Sequence, residues 1–298
     1  MGEGTVPFRH DDETAETWYR IDGELRPDGP APLVTLHGGP GATHDYLLAL
    51  TDLADGRAVV FYDQIGNGRS THYEGRNGDF WTVDLFVREL NNLVDALGIS
   101  DRHHVLGSSW GGFLGQEYAL TQPRGLRSLV LTDTAASFPD FVAEANRLRA
   151  ELPPEVEATL KRHEEAGTTD DPEYEEACMV FYKRHLCRLD DWPQELVESF
   201  GWIAKDPTVY HTMNGPSEFH VIGSIKDWQS KDRLGDISVP TLLTSGRYDE
   251  ATPALQEPLR DGIPDCEWVL FEDSSHTPFV EERERYMQVV GDWLARHD

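Results

Sequence analysis

Apolar positions along the chain alternate between two spacings. Short, nearly continuous runs at Leu33–His37, Ala58–Tyr62, His104–Gly107, Leu126–Thr132, Thr241–Ser245 and Trp268–Phe271 predict strands covered on both faces. Between them the period lengthens. Thr82–Leu97 sets Val83, Phe86, Val87, Leu90, Leu93, Val94 and Leu97 on one helical stripe. Gly111–Thr121 predicts a helix directly after a strand, and Glu282–Arg296 predicts a last helix with Tyr286, Val289, Val290, Trp293 and Leu294 turned inward. Near the start, Thr17–Ile21 and Leu25 flank Asp22-Gly23, a hairpin turn signal. Strands alternating with helices imply an α/β fold, a mainly parallel sheet with helices on both faces.

The middle of the chain breaks that alternation. From about Ala135 to about Ser224 strand patterns stop and helical, acidic segments take over, interrupted at Pro153-Pro154, Gly167–Asp171 and Trp192-Pro193. Such a block reads as a helical cap, residues 135–224, inserted between a first core part (1–134) and a second (225–298). It would lie over the edge of the sheet where open α/β sheets bind ligands.

Composition narrows the class. With 39% hydrophobic residues, the 298-residue chain has ample material for a core, and no apolar run approaches the roughly 18 residues needed to cross a bilayer. The N-terminal stretch is acidic where a signal peptide would be basic, so a cytoplasmic location is expected. Cys178, Cys187 and Cys266 are an odd, widely spaced set, expected to be free thiols. Acids outnumber bases 54 to 26, a net charge of −28, which argues against nucleic-acid and anionic-membrane partners. The excess is no tail, since residues 137–215 carry 17 acids against 8 bases, a density like that of the rest. Only 5 of the 26 bases are Lys. An acidic, Arg-favouring surface suits a high-salt environment, where counterions screen the self-repulsion; a GC-rich genome would also trade Lys for Arg.

The sharpest chemical signal is Gly107-Ser108-Ser109-Trp110-Gly111-Gly112 between a strand and a helix. It fits G-x-S-x-G, a turn so tight that its neighbours must be small, and the spacing selects Ser109 as nucleophile. A serine hydroxyl needs a base, and the base an orienting acid. Two loops that each follow a strand supply them: Asp249 as orienter and His276 as general base. Asp133, which ends the strand before the helical block, is the competing acid. An oxyanion hole is also required. One donor is the Trp110 N–H; the other comes from the loop His37-Gly38-Gly39-Pro40-Gly41, with Gly39 the best placed. This acyl-transfer chemistry calls for neither a metal nor an organic cofactor.

Three motifs in order, HGGPG at 37–41, Asp63-Gln64-Ile65-Gly66-Asn67-Gly68-Arg69-Ser70, and GSSWGG at 107–112, together resemble the prolyl iminopeptidases, serine exopeptidases of the α/β-hydrolase fold. The segments Met213–Phe219, Gly223–Trp228 and Gly246–Pro253 look closest to the tricorn-interacting-factor branch of that family. The resemblance implies release of one N-terminal residue, often proline, from short peptides. It also implies that two glutamates, matching Glu218 and Glu250, hold the free amine of the substrate. Physics agrees, because a cation entering a dry cleft needs paired carboxylates. The partners expected are therefore short peptides or amino-acid amides with a free N-terminus; an amidase or esterase on the same scaffold is the alternative. Of the aromatics in the middle block, Phe138, Phe141, Phe181, Tyr182 and Trp202 are candidates for a prolyl pocket, though most are expected to pack between helices.

Overall fold

In a computed structural model describing residues 2–73 and 75–298, eight strands form one sheet. The strands are β1 (Gly2–His10), β2 (Glu13–Asp22), β3 (Leu33–Leu36), β4 (Val59–Tyr62), β5 (His103–Ser108), β6 (Leu126–Thr132), β7 (Thr241–Gly246) and β8 (Cys266–Phe271). Their spatial order is β1-β2-β4-β3-β5-β6-β7-β8; β1 and β2 run antiparallel to their neighbours and the other six are parallel. Each strand expected from its apolar run is present. The expected hairpin is not where Asp22-Gly23 placed it. The tight turn is Asp11-Asp12, joining β1 to β2, and β2 pairs next with β4. Gly23 instead turns the chain out of the sheet at φ 84°, where a Cβ would lie 2.9 Å from the carbonyl oxygens of Ala54 and Arg57.

Alternation within the strands explains the two layers of core. Val34, Leu36, Val60, Tyr62, Leu129 and Leu131 face one side, packing with α1 (Val83–Ala96) and α2 (Trp110–Leu120). Leu33, Val59, Phe61 and Val130 face the other, against the 3₁₀ stretch His44–Leu53 and the C-terminal helix. Helix α1 begins where expected because the Thr82 side chain accepts the Leu85 N–H as an N-cap.

Between β6 and β7 lie α3 (Phe138–Arg149), α4 (Pro154–Ala166), α5 (Pro172–His185), α6 (Gln194–Lys205) and α7 (Thr208–Met213). Their breaks fall at the prolines and glycine read from the sequence; Gly167 ends α4 in the left-handed region at φ 66°. After β7 come α8 (Pro253–Gly262), the short α9 (Pro278–Glu281) and α10 (Arg283–Arg296). The last helix buries Tyr286, Val290, Trp293 and Leu294, while Val289 is only half-buried. Cys178, Cys187 and Cys266 are free thiols. No described helix is long and apolar enough to cross a membrane.

Candidate active site

Parallel neighbours end at the same edge, and this assembles the site. Strands β3, β5, β6, β7 and β8 lie side by side, with Leu36 opposite Gly107, Ser108 opposite Thr132, Thr132 opposite Thr244 and Gly246 opposite Phe271. The loops that follow them carry Gly39, Ser109, Asp133, Asp249 and His276 to one edge.

Ser109 sits between β5 and α2 at φ 58°, ψ −123°, the strained elbow that its motif predicts. Trp110 opens α2, so its N–H has no acceptor within the helix and is free to face an oxyanion. Gly39, at φ 112°, lines the same small cavity as Ser109 and Trp110, together with Phe113, Asp133, Thr134, Phe138, Phe141, Glu218 and Ala251. The three sequence motifs interlock behind it. Gln64 accepts the Trp110 indole N–H at 2.9 Å, donates to the His37 carbonyl at 3.0 Å, and gives its backbone N–H to His37 Nε2 at 3.0 Å.

His276 Nδ1 donates to Asp249 Oδ1 at 2.6 Å, and both side chains are buried. Asp249 Oδ1 also accepts the Ala251 N–H at 2.9 Å. Asp249, not Asp133, therefore meets the imidazole. Among the described residues the Ser109 hydroxyl makes no hydrogen bond to His276, a gap usual before substrate tightens such a site. Burial alone would lower the His276 pKa, but the Asp249 carboxylate, then Glu250 and Glu218, overcome it and raise it to about 9.

Glu250 Oε1 lies 3.9 Å from His276 Nε2. Its other oxygen is buried without a hydrogen-bond partner. Glu218 accepts the Tyr210 hydroxyl at 2.5 Å. Burial raises the pKa of both glutamates, and for Glu250 the charges of Glu218 and Asp249 add to the effect. Among the described residues neither glutamate pairs with a Lys or Arg. The structure thus brings Glu250 to His276 and sets Glu218 on the wall of the cavity that holds Ser109.

Several residues at the site carry no motif. Tyr210 orients Glu218 from α7. The Glu281 carboxylate on α9 accepts the N–H groups of Ser275 and Thr277 and the Ser275 hydroxyl, clamping the His276 loop from either side. The end of α5 holds the neighbouring loop, with the His185 carbonyl accepting the Glu250 N–H and its ring bonding the Tyr248 carbonyl. Sequence spacing offers no signal for His185, which acts across a tertiary gap, whereas Tyr210 and Glu281 lie within 8 residues of the groups they bond and still belong to no motif. Of the five aromatics singled out, Phe138 and Phe141 line the cavity; Phe181 and Tyr182 pack in the core, and Trp202 lies beside Arg69 and Lys205.

Two buried clusters have donor atoms close enough for a metal: His44 with Asp45 and Asp63, and Asp133 with Asp249 and His276. In the first, the Arg69 guanidinium already bonds both carboxylates. In the second, the imidazole is engaged with Asp249.

Known proteins fit this picture. Residues 31–283 match the family model of the alpha/beta hydrolase fold. The chain is 40% identical over 268 residues to a proline iminopeptidase of Thermoplasma volcanium, covering 90% of each. It is similar to the crystal structure of a proline iminopeptidase from Mycobacterium smegmatis, with a TM-score of 0.89 and 45% identity over 99% of this chain and 98% of that one. The crystal structure of VinJ matches with a TM-score of 0.96 and 50% identity, over 100% and 99% of the two chains. Sheet order and family match together define an α/β hydrolase. Within that class, the chain belongs to the proline iminopeptidase family.

Proposed function

We propose that this protein is a serine aminopeptidase that releases the N-terminal residue, proline foremost, from short peptides. One observation carries the reading: Glu250, buried beside the base, and Glu218, half-buried on the wall of the cavity over Ser109, are two carboxylates with no Lys or Arg to neutralise them among the described residues. Buried charge of one sign is costly, and a substrate's free ammonium group, secondary in the case of proline, is the missing counter-charge. Anchoring that amine fixes the first peptide carbonyl over Ser109 and limits cleavage to one residue.

In the proposed reaction Ser109 Oγ attacks that carbonyl while His276 Nε2 takes its proton and Asp249 holds the imidazole. The N–H groups of Gly39 and Trp110 stabilise the oxyanion. His276 then protonates the leaving amine, the C–N bond breaks, and water, deprotonated by the same imidazole, releases the amino acid from the acyl-enzyme. Residues 135–224 act as the cap. Phe138 and Phe141 of α3 stand in the wall of the cavity over Ser109, where a prolyl ring would meet them.

The test is kcat/KM on Pro, Ala, Leu, Phe and N-acetyl-Pro anilides. Activity should be confined to free-amine substrates, led by Pro, and should fall by at least about 10³ in Ser109→Ala. Indifference to acetylation would remove the role of the glutamates and leave a general amidase or esterase.

A further inference from the structure

Asp133 takes no part in the reaction as proposed, yet it is fully buried against the residues that do. It follows β6 at φ 51°, a left-handed conformation that Asp tolerates better than most residues. Its N–H donates to the Thr244 carbonyl at 2.9 Å, and its Oδ1 accepts the Gly246 N–H at 3.0 Å. These bonds fix the carboxyl between β6 and the end of β7. Its Oδ2 has no conventional donor; neither has Oδ2 of Asp249. The two carboxyl groups and the His276 ring offer atoms that all lie within 4.8 Å of one another.

Two orphaned carboxyl oxygens side by side in a dry site have one economical solution, a single proton between them. We propose that Asp133 is a positioning residue acting as a neutral carboxylic acid, its protonated Oδ2 donating to Asp249 Oδ2 so that Oδ1 of Asp249 stays turned toward His276. The proton belongs on Asp133, because Asp249 already accepts from the imidazole and from Ala251 whereas Asp133 accepts only from Gly246. Burial and then the negative charge of Asp249 hold the Asp133 carboxyl well above the usual carboxylate range. The groups facing this pair are His276, Glu250 and Glu218 on the cleft side, Glu281 on α9, and the hydroxyls of Tyr46 and Tyr286. Among these only His276 can carry a positive charge, and it is spoken for by Asp249.

The inference rests on the assignment of Ser109, Asp249 and His276 above. Its test compares Asp133→Asn, Asp133→Ala and Asp249→Asn by kcat, KM, the pH profile of kcat/KM and the low-field proton resonance of His276 Nδ1–H. The amide introduced by Asp133→Asn keeps a donor toward Asp249 and an acceptor for Gly246. The Asp133→Asn protein should therefore stay within about threefold of the parent across pH 6–10 and keep the resonance. Asp133→Ala should lose at least about tenfold in kcat with little change in KM, and should shift the resonance and the acid limb. Asp249→Asn should lose about 10³-fold or more. Loss in Asp133→Asn comparable to Asp249→Asn would show a working carboxylate and overturn the proposal, a comparison that stands even if Asp133→Ala folds poorly. An unchanged Asp133→Ala enzyme would overturn it as well. Retained turnover in Asp249→Asn or Ser109→Ala would instead mark failure of the triad.

Discussion

Gly107 and Gly111 lie so close across the elbow that a Cβ on Gly107 would sit 2.0 Å from the Gly111 carbonyl oxygen. A Cβ on Gly111 would in turn sit 2.0 Å from the Leu36 carbonyl oxygen at the end of β3. Backbone atoms cannot rotate aside as a side chain would. The two glycines therefore set how closely α2, β5 and β3 approach, and with them the position of Ser109.

Gly107→Ala and Gly111→Ala should each cost about 3 kcal/mol or more and abolish turnover, as thermal unfolding and anilide hydrolysis would report. Gly201→Ala, with nothing within 4 Å of the new methyl on α6, should raise stability by up to about 1 kcal/mol. If all three behave alike, close approach is not the reason for the elbow glycines.

A base must be neutral to accept the proton of Ser109. With the His276 pKa raised to about 9 in the free protein, about one molecule in a hundred has a neutral imidazole at pH 7. Labelling by a fluorophosphonate, which brings no amine, should therefore climb about tenfold per pH unit between pH 6 and 8 and level off near 9. Glu250→Gln removes an anion 3.9 Å from the ring, disfavouring the imidazolium, so the midpoint should move to lower pH. The ammonium of a substrate should act in the same direction. A midpoint near 6.5 in the parent, or none of this movement in Glu250→Gln, would refute the electrostatic account.

Salt acts on the whole molecule. At a net charge of −28, self-repulsion opposes the folded state and counterions relieve it. The unfolding midpoint should rise by about 5 °C or more between 0.05 and 2 M KCl. No movement would show that the acidic surface is unrelated to salt.

Local chemistry made much of this legible in advance. Continuous apolar runs foretold the inner parallel strands because burial on both faces leaves such a pattern, while β8, at the sheet edge, is apolar in sequence yet only partly buried. The elbow motif selected Ser109 because only one spacing satisfies the turn, and Asp249 and His276 stood out by following strands. Asp22-Gly23 misled because a glycine with positive φ serves an exit from a sheet as well as a hairpin, and sequence does not say which.

What the sequence determined alone is what lies within one element or one turn: strands, helices, the strained serine and its glycines. The sequence favoured Asp249 over Asp133 as the acid, and only the tertiary structure supplies the contact that separates them. Asp133 and Asp249 both follow strands, and the choice lies in ångströms across the β6–β7 boundary, where one carboxyl meets the imidazole and the other turns to Gly246. His185 on the carbonyl of Tyr248 and the N–H of Glu250 belongs to the same class. Hydrogen bonds between distant segments depend on how the layers pack, and linear spacing carries no record of that.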